Sequence, residues 1–282
     1  MIIGLLKEPT FETRVSLLPE HISLLKKMNA SLLVESGAGT AAYAPDEKYA
    51  DAGATILSRA EVLQKATILL SINPLTADDI NQSKGKTLVG FFQALYNGCT
   101  DSITGLKQVL RVFSMDMLPR TTRAQSMDVL SSQANIAGYK AVLLGANLFP
   151  RYFPMFMTAA GSIAPAKVLI LGAGVAGLQA IATAKRLGAV VEVFDTRPAV
   201  KEEVMSLGGK FVEVEGAADA SNAGGYAVEQ SAEFQEKQKA KIAESVAKAD
   251  IVISTAQIPG KKAPVLITEQ MIAGMKQGFG CN

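Results

Sequence analysis

Apolar residues in the first half of the chain alternate between short runs and longer stretches with helical spacing. The short runs predict strands at Ile2–Leu6, Ser31–Glu35, Ile68–Ser71, Thr87–Phe91 and Val112–Ser114. Between them, the spacing of apolar positions predicts helices at Pro19–Asn29, Glu47–Asp51, Arg59–Lys65 and Asp101–Val109. Strands that alternate with helices indicate a parallel sheet covered by helices. The first part of the chain is therefore predicted to be an α/β domain.

The second half repeats this alternation after a long stretch that carries few charges. Positions 129–149 keep helical spacing, and three prolines then interrupt the chain before position 166. Further strands are predicted at Val168–Gly172, Val190–Phe194, Lys210–Glu213 and Ile251–Ser254, and helices at Val228–Lys248 and Thr268–Met275. We therefore expect an N-terminal α/β domain at 1–128, a linking helix at 129–150 and a second α/β domain at 151–282.

The segment KVLILGAGVAGLQAIATAKRLGAVVEVFDTR, from Lys167 to Arg197, contains the strongest functional motif. Its first strand leads into Gly172, Gly174 and Gly177, which have G-x-G-x-x-G spacing. The first glycine allows a tight turn, the second lets the backbone approach a pyrophosphate, and the third lets the helix pack against the sheet. The helix N-terminus offers unpaired N–H groups to phosphates. The motif predicts a dinucleotide site, and both domains are predicted to be Rossmann-like.

Asp195 closes the second strand of this motif, 23 residues after Gly172. Its carboxylate can accept hydrogen bonds from the adenosine ribose and would repel a 2′-phosphate, which favours NAD(H) over NADP(H). Arg197 complicates this prediction because a nearby arginine can accommodate a 2′-phosphate; we interpret it as a pyrophosphate or ribose neighbour. In an alternative interpretation the glycines only pack helix on strand, but that does not explain the acid.

Composition excludes several other classes of protein. The chain has 282 residues, 49% of them hydrophobic, which is enough core material for two domains. A net charge of +2 gives no electrostatic argument for nucleic-acid binding. Cys99 and Cys281 match no metal or disulfide spacing, so we expect no metal and a reducing compartment. Apolar runs are too short to span a bilayer, and the N-terminus resembles no leader, so we expect a soluble chain.

Histidine is almost absent, since His21 is the single one in the sequence. It lies in the periodic run PEHISLLKKM, where a surface or capping position is expected. Dehydrogenases that oxidise alcohols or amino acids usually need a general base near the reacting carbon, often a histidine. The sequence therefore argues against ordinary substrate oxidation.

Longer motifs identify a family. The block MLPRTTRAQSMD (Met117–Asp128), together with SSQANIAGYKAV, the glycine segment, GGYA and STAQIPGKKAPVLIT, resembles the NAD(H)-binding domain of proton-translocating NAD(P) transhydrogenase. The similarity extends over essentially the whole chain, beginning with KEPTFETRVSLLPE and VESGAG. The PRxxRAQSMD block is far more specific than the glycine motif. Alanine dehydrogenase is the sister family with the same fold.

The resemblance implies a nicotinamide site formed by the Met117–Asp128 block. It assigns Arg120, Gln125 and Asp128, with Ser126 and Met127 beside them, to the loop around the nicotinamide and its ribose. These residues would position the ring, since hydride transfer between two nicotinamides needs no acid or base. The alternative is that they only cap the linking helix.

The resemblance also implies which residues line the rest of the nucleotide. Val175, Thr196 and Arg197 would accompany Asp195 at the adenosine and pyrophosphate, and a mobile loop at Glu215–Gly225 would fold Tyr226 over the nucleotide. Plain surface disorder is the alternative for that loop. The remaining implied cofactor-binding residues are Gly225, Gln238, Thr255, Ala256 and Gln257. The family usually has leucine at the position of Gln257, so the fit there departs from its pattern.

Residues of the sister family allow its chemistry to be compared. Alanine dehydrogenases use a lysine, a histidine and an N-terminal arginine, of which only the arginine has a counterpart, Arg14. The other two positions fall in LLSINPL and VGFFQALYN, which contain neither residue. We therefore interpret Arg14 as a structural ion-pair residue. An alanine-dehydrogenase-like enzyme and a non-catalytic, truncated NAD-binding module remain the alternatives to a transhydrogenase component.

The resemblance finally implies partners that this sequence does not contain. A transhydrogenase transfers hydride from NADH to NADP⁺ on a separate NADP(H)-binding domain and couples this to protons through a membrane domain. The chain is expected to be a homodimer on the cytoplasmic or matrix-side face of an energy-coupling membrane, with no direct membrane insertion. A further strand and a return helix are expected after Met275, so the second domain is predicted to be a truncated product, fragment or divergent isoform.

Overall fold

A computed structural model describes residues 1–95, 111–119, 121–214, 231–257, 260 and 262–276. The chain divides into two compact units, Met1–Asp128 and Val129–Asn282. Each unit is built around its own parallel sheet. The predicted helix at Asp101–Val109 and the predicted loop at Glu215–Gly225 lie outside the described residues.

The first unit has a six-stranded sheet in which the described strands all run parallel. The spatial order is β3-β2-β1-β4-β5-β6. This is the order of a doubly wound fold, in which the chain starts in the middle of the sheet and winds outwards in both directions. The strands are β1 (Ile2–Leu5), β2 (Ser31–Glu35), β3 (Thr55–Leu57), β4 (Ile68–Ser71), β5 (Thr87–Gly90) and β6 (Arg111–Ser114).

Alternating side chains place two apolar clusters on opposite faces of this sheet. Ile3 and Leu5 pack with the paired Leu32 and Val34 in one cluster. Leu69 and Leu88, which are also paired across strands, pack in the other. The described helices that cover the sheet are α1 (Ile22–Lys27), preceded by a 3₁₀ turn (Pro19–His21), α2 (Asp46–Asp51), α3 (Arg59–Lys65) and α4 (Ala77–Gln82).

Two elements of the first unit were not predicted from sequence. Strand β3 has three residues and none of them is fully buried, so its apolar pattern is too short to identify. Helix α4 (ADDINQ) has one large apolar residue, Ile80, and forms because Thr76 and Asp79 make a capping box at its N-terminus. The described strands predicted for this unit are confirmed to within one residue at each end.

The second unit has a four-stranded parallel sheet in the order β11-β10-β9-β12. The strands are β9 (Lys167–Leu171), β10 (Val190–Phe194), β11 (Lys210–Phe211) and β12 (Ile251–Ser254), and the helices are α5 (Val129–Leu148), α6 (Val175–Arg186), α7 (Lys201–Ser206), α8 (Ala232–Lys248) and α9 (Glu269–Ala273). Val168 and Ile170 face α5 and α6, whereas Leu169 and Leu171 face α8. The fold class predicted from sequence, two Rossmann-like α/β domains with parallel sheets, is confirmed.

A two-stranded antiparallel hairpin precedes this sheet and was missed in the sequence. It consists of β7 (Phe156–Thr158) and β8 (Gly161–Ile163). Five of its six residues are exposed, so no buried face imposes the alternation from which a strand is recognised. The nearby prolines favoured an irregular segment instead, and that prediction was wrong.

Candidate functional site

The glycine turn joins β9 to helix α6 and approaches its neighbours closely. Gly172 has φ +104°, a left-handed conformation that favours glycine, and a Cβ there would lie 2.9 Å from Thr255 Oγ1. A Cβ at Gly177 would lie 1.9 Å from the Gly172 carbonyl oxygen. These two glycines are therefore required by the packing of the protein itself.

Gly174 differs from both of them. It has ordinary extended backbone angles, φ −79° and ψ −169°, and a Cβ built there meets no atom within 4 Å. Neither the backbone conformation nor the described packing requires glycine at this position. The open space lies at the N-cap of α6, where the first N–H groups of a helix lack internal partners and attract anions. This arrangement fits a pyrophosphate in contact with the backbone.

Hydrogen bonds attach the turn to the two strands that flank β9. The Gly172 N–H donates to Phe194 O at 2.8 Å, at the end of β10. On the other side, Thr255 Oγ1 donates to Gly172 O at 2.9 Å, just beyond β12. The turn thus lies at the carboxyl edge of the sheet, where the strand order reverses between β9 and β12. Ligands of open α/β sheets bind at such a reversal point.

Asp195 lies directly beside the turn. Its Oδ2 accepts hydrogen bonds from Ala173 N–H at 2.7 Å and from Arg197 Nη2 at 2.8 Å. Its Oδ1 accepts from Arg197 N–H at 2.8 Å and Arg197 Nε at 2.9 Å. The carboxylate is 6% exposed and the guanidinium 17%, so the ion pair is largely shielded from water.

The environment keeps the Asp195 carboxyl ionised. Burial alone would raise the pKa of Asp195, but the hydrogen bonds from Arg197 and Ala173 outweigh it and lower the pKa below its usual value. The same ion pair raises the pKa of Arg197 above its usual value. Asp195 can therefore act only as a hydrogen-bond acceptor at neutral pH.

The other predicted cofactor residues of the second unit occupy several positions. Val175 begins α6, Thr196 is half-buried after β10, and a Cβ at Gly172 would lie 3.2 Å from Ala256 N. The structure thus brings Gly172, Gly174, Val175, Gly177, Asp195, Thr196, Arg197, Thr255 and Ala256 to one edge of the sheet. Gln257 follows them with an exposed side chain, and Gln238 is buried on helix α8.

The predicted nicotinamide residues belong to the first unit. A 3₁₀ helix (Thr122–Met127) carries Gln125, Ser126 and Met127, which are exposed, around the buried Ala124. Asp128 follows as the half-buried C-cap, and its N–H donates to Gln125 O at 3.2 Å. Arg120, Gly225 and Tyr226 lie outside the described residues.

One positioning contact was missed from sequence. A Cβ at Gly138 on α5 would lie 2.0 Å from the Ala176 carbonyl oxygen in the first turn of α6. Near it, Asn135 Nδ2 donates to Gln179 Oε1 at 3.3 Å between the same helices. A glycine within a long helix marks such a close approach, and that signal was available at Gly138 and Gly145.

The first unit places Arg14 in an ion pair, as the sequence predicted. Arg14 Nε donates to Glu12 Oε1 at 2.8 Å. Hydrogen bonding from Arg14 lowers the pKa of Glu12 to about 2. His21 is exposed, as expected, and lies 3.8 Å from Glu20. Neither residue is arranged here as a base beside a substrate.

The described ranges lack two further kinds of feature. No group of three or more His, Cys, Asp or Glu residues there could hold a metal ion. No helix in this part of the chain is both long and apolar enough to cross a membrane.

Comparisons with known proteins identify the family. Residues 4–137 match the family described as alanine dehydrogenase/PNT, N-terminal domain, and residues 141–279 match its C-terminal domain. A Rhodospirillum rubrum protein, the first of the parts that form its NAD(P) transhydrogenase subunit alpha, is 48% identical over 277 residues, which cover 95% of this chain and 72% of that protein. The crystal structure of transhydrogenase from Sinorhizobium meliloti superposes with a TM-score of 0.85 at 41% identity, covering 98% of this chain and 76% of that one.

The sister family is more distant. Alanine dehydrogenase of Mycolicibacterium smegmatis is 28% identical over 286 residues, covering 99% of this chain and 70% of that protein. The resemblance recognised in the PRxxRAQSMD block is thus confirmed, and the chain belongs to the family of NAD(P) transhydrogenase alpha subunits.

Proposed function

We propose that this chain is the NAD(H)-binding component of a proton-translocating NAD(P) transhydrogenase. In this proposal it presents NADH to NADP⁺ held on a partner domain, and a separate membrane domain couples hydride transfer to proton movement. The observation that carries the proposal is the open space at Gly174, within a turn whose other two glycines are held by close packing. A pyrophosphate on the N-terminus of α6 accounts for the choice of glycine there.

The adenosine half of the proposed site is chemically consistent with NAD(H). Asp195 is ionised and lies within hydrogen-bond distance of the glycine turn. A carboxylate at this position accepts hydrogen bonds from ribose hydroxyls and repels a 2′-phosphate. Val175, Thr196, Arg197, Thr255, Ala256 and Gln257 would complete this half, with Gln238, Gly225 and Tyr226 contributing from elsewhere in the second unit.

The nicotinamide half is proposed to act by positioning. A bound NADH supplies the hydride from its ring, and no proton has to be added or removed by the protein in that step. Gln125 and Asp128 would orient the carboxamide and ribose together with Arg120, Ser126 and Met127. Such catalysis depends on holding the reacting rings close and aligned, which agrees with a sequence that contains one histidine.

The geometry of Arg14 supports this proposal over the alanine-dehydrogenase alternative. A substrate carboxylate would need the guanidinium of Arg14, but that group already pairs with Glu12 two residues away. The lysine and histidine that the sister family would add have no counterparts in LLSINPL and VGFFQALYN. A pyruvate site would therefore lack both its anchor and its base.

We further propose that the chain forms a homodimer through the second unit, on the cytoplasmic or matrix-side face of an energy-coupling membrane. The end of α5 and the hairpin present a continuous series of apolar side chains to solvent, with Leu148 71% and Met157 72% exposed. Tyr152 and Phe156 stack within it at 5.2 Å between ring centroids. Exposed apolar surface of this kind is typical of protein interfaces.

The activity can be tested by reconstitution. The purified chain would be titrated with NADH by fluorescence, then mixed with a purified transhydrogenase NADP(H)-binding domain and thio-NADP⁺ as hydride acceptor. We expect NADH binding and transfer. Asp128→Asn should reduce the transfer rate at saturating NADH by about tenfold, because ring alignment is lost. Asp51→Asn, at an exposed helix position, is the control.

Other outcomes would favour the alternatives. NADH binding without transfer to the partner would indicate a non-catalytic module. Steady oxidation of NADH with pyruvate and ammonia would indicate an amino-acid dehydrogenase and would contradict the argument from the missing lysine and histidine.

A further inference from the structure

We propose that Arg197 competes with the adenosine ribose of NAD(H) for Asp195, and that it would itself bind the 2′-phosphate of NADP(H) once that carboxylate is removed. The preference between the two dinucleotides then depends on the Asp195–Arg197 pair rather than on the acid alone. This inference rests on the proposed NAD(H) site.

The first step is the hydrogen-bonding capacity of the carboxylate. An ionised carboxyl group offers about four acceptor positions. Among the described residues, four N–H groups donate to Asp195, one from Ala173 and three from Arg197. Two ribose hydroxyls cannot be added to this arrangement, so existing donors must leave when the ribose binds.

The second step identifies which donors can leave. The N–H groups of Ala173 and Arg197 are backbone groups, fixed by the glycine turn and by the bend after β10. The Nε and Nη2 groups belong to a flexible side chain that can rotate away. Two side-chain donors are therefore exchanged for two hydroxyl donors, and the carboxylate remains satisfied throughout.

The third step concerns the displaced guanidinium. Arg197 is only two residues beyond Asp195, so its cationic group stays near the ribose wherever it rotates. A guanidinium offers a fork of N–H donors that suits phosphate oxygens. In the native chain the carboxylate both repels a 2′-phosphate and holds this fork. Removing the carboxylate would remove the repulsion and release the fork together.

A double-mutant cycle tests the NADP(H) half of the inference. Dissociation constants for NADPH would be measured by fluorescence for the native chain, Asp195→Ser, Arg197→Met and the double variant. We expect Asp195→Ser to bind NADPH at least about tenfold more tightly than the native chain, and the double variant to lose that gain. Equal NADPH affinity of Asp195→Ser and the double variant would overturn the proposal. Neither of these two variants leaves a buried carboxylate unpaired, so both should fold.

NADH binding tests the competition itself. Arg197→Met should tighten NADH binding several-fold, because the ribose no longer has to displace the guanidinium. Arg186→Met removes an exposed arginine at the far end of α6, about 16 Å along the helix, and should leave binding unchanged. Weaker NADH binding by Arg197→Met would overturn the competition. If the native chain bound no NADH, the proposed function would fail as well; if it bound NADH and the cycle were flat, this inference alone would fail.

Discussion

Gly138 and Ala176 bring helices α5 and α6 into backbone contact, since a Cβ at 138 would lie 2.0 Å from the Ala176 carbonyl oxygen. Helix α5 begins at Val129, directly after the predicted nicotinamide residue Asp128. Helix α6 begins at the glycine turn. A single missing side chain therefore anchors the helix that follows one predicted half of the NAD(H) site on the helix that forms the other.

Gly138→Ala should disturb both stability and nucleotide binding. The added methyl group meets backbone rather than a flexible side chain, so the helices must separate, and overpacking of this kind costs about 1–3 kcal/mol. We expect a lower free energy of unfolding by urea and a higher dissociation constant for NADH, because the first turn of α6 moves.

Gly145→Ala provides the matched control on the same helix. A Cβ at that position would lie 3.3 Å from Ile251 Cγ2, a side-chain atom that can yield by a few tenths of an ångström. It should change stability and NADH affinity much less than Gly138→Ala. Equal effects of the two substitutions would show that the contact with Ala176 does not position the site.

Two glycines of the turn should respond in opposite ways to alanine. Gly177→Ala should destabilise the protein by several kcal/mol, because its Cβ would lie 1.9 Å from Gly172 O. Gly174→Ala should change the free energy of unfolding by less than about 1 kcal/mol, since no atom lies within 4 Å. It should nevertheless weaken NADH binding by tenfold or more, because the methyl group occupies the proposed pyrophosphate position. Thermal unfolding and NADH titration of both variants measure this, and unchanged NADH affinity in Gly174→Ala would contradict the assignment.

The central strands were predictable because their physics is local. Strands β9, β10 and β12 are buried parallel strands and therefore appear as continuous apolar runs, and each was placed to within one residue. The glycine turn was predictable for a similar reason, since its spacing reflects backbone requirements. Elements stabilised by a few polar contacts, such as α4 with its Thr76–Asp79 capping box, have no comparable signature.

The site was less predictable because its interactions depend on side-chain conformation. Asp195 and Arg197 could both be named from sequence, but not that Arg197 would donate three hydrogen bonds to that carboxylate. The backbone donor, Ala173 N–H, carries no side-chain signal at all. The approach of Gly138 to Ala176 depends on how two distant helices pack, which periodicity along one helix does not reveal.

Thr255 should stabilise the glycine turn through its hydroxyl. Its Oγ1 donates to Gly172 O at 2.9 Å, so Thr255→Val, which keeps the shape and removes the donor, should lower the free energy of unfolding by about 1–2 kcal/mol. Thr255→Ser keeps the donor and is the control for the hydrogen bond. Urea unfolding of the three proteins provides the measurement. A loss in Thr255→Ser as large as in Thr255→Val would assign the effect to the methyl group instead.

Glu12 should make the stability of the first unit depend on pH in the acid range. Hydrogen bonding from Arg14 lowers the pKa of Glu12 from 4.5 to about 2. A carboxyl with a depressed pKa in the folded state stabilises that state above its unfolded pKa, and the contribution is lost as pH falls towards the folded pKa. Because Arg14 is half-exposed, water screens the pair and the contribution is about 1 kcal/mol.

Glu12→Gln should therefore be about 1 kcal/mol less stable than the native chain at pH 7, and the difference should shrink between pH 4.5 and pH 2. Urea unfolding at pH 7 and pH 3 measures the two limits that remain accessible. Glu20→Gln, at a carboxylate that is 70% exposed, is the control and should show no such convergence of its own. A difference between the native chain and Glu12→Gln that persists unchanged at pH 3 would mean that the packing of Glu12, rather than its charge beside Arg14, stabilises the segment.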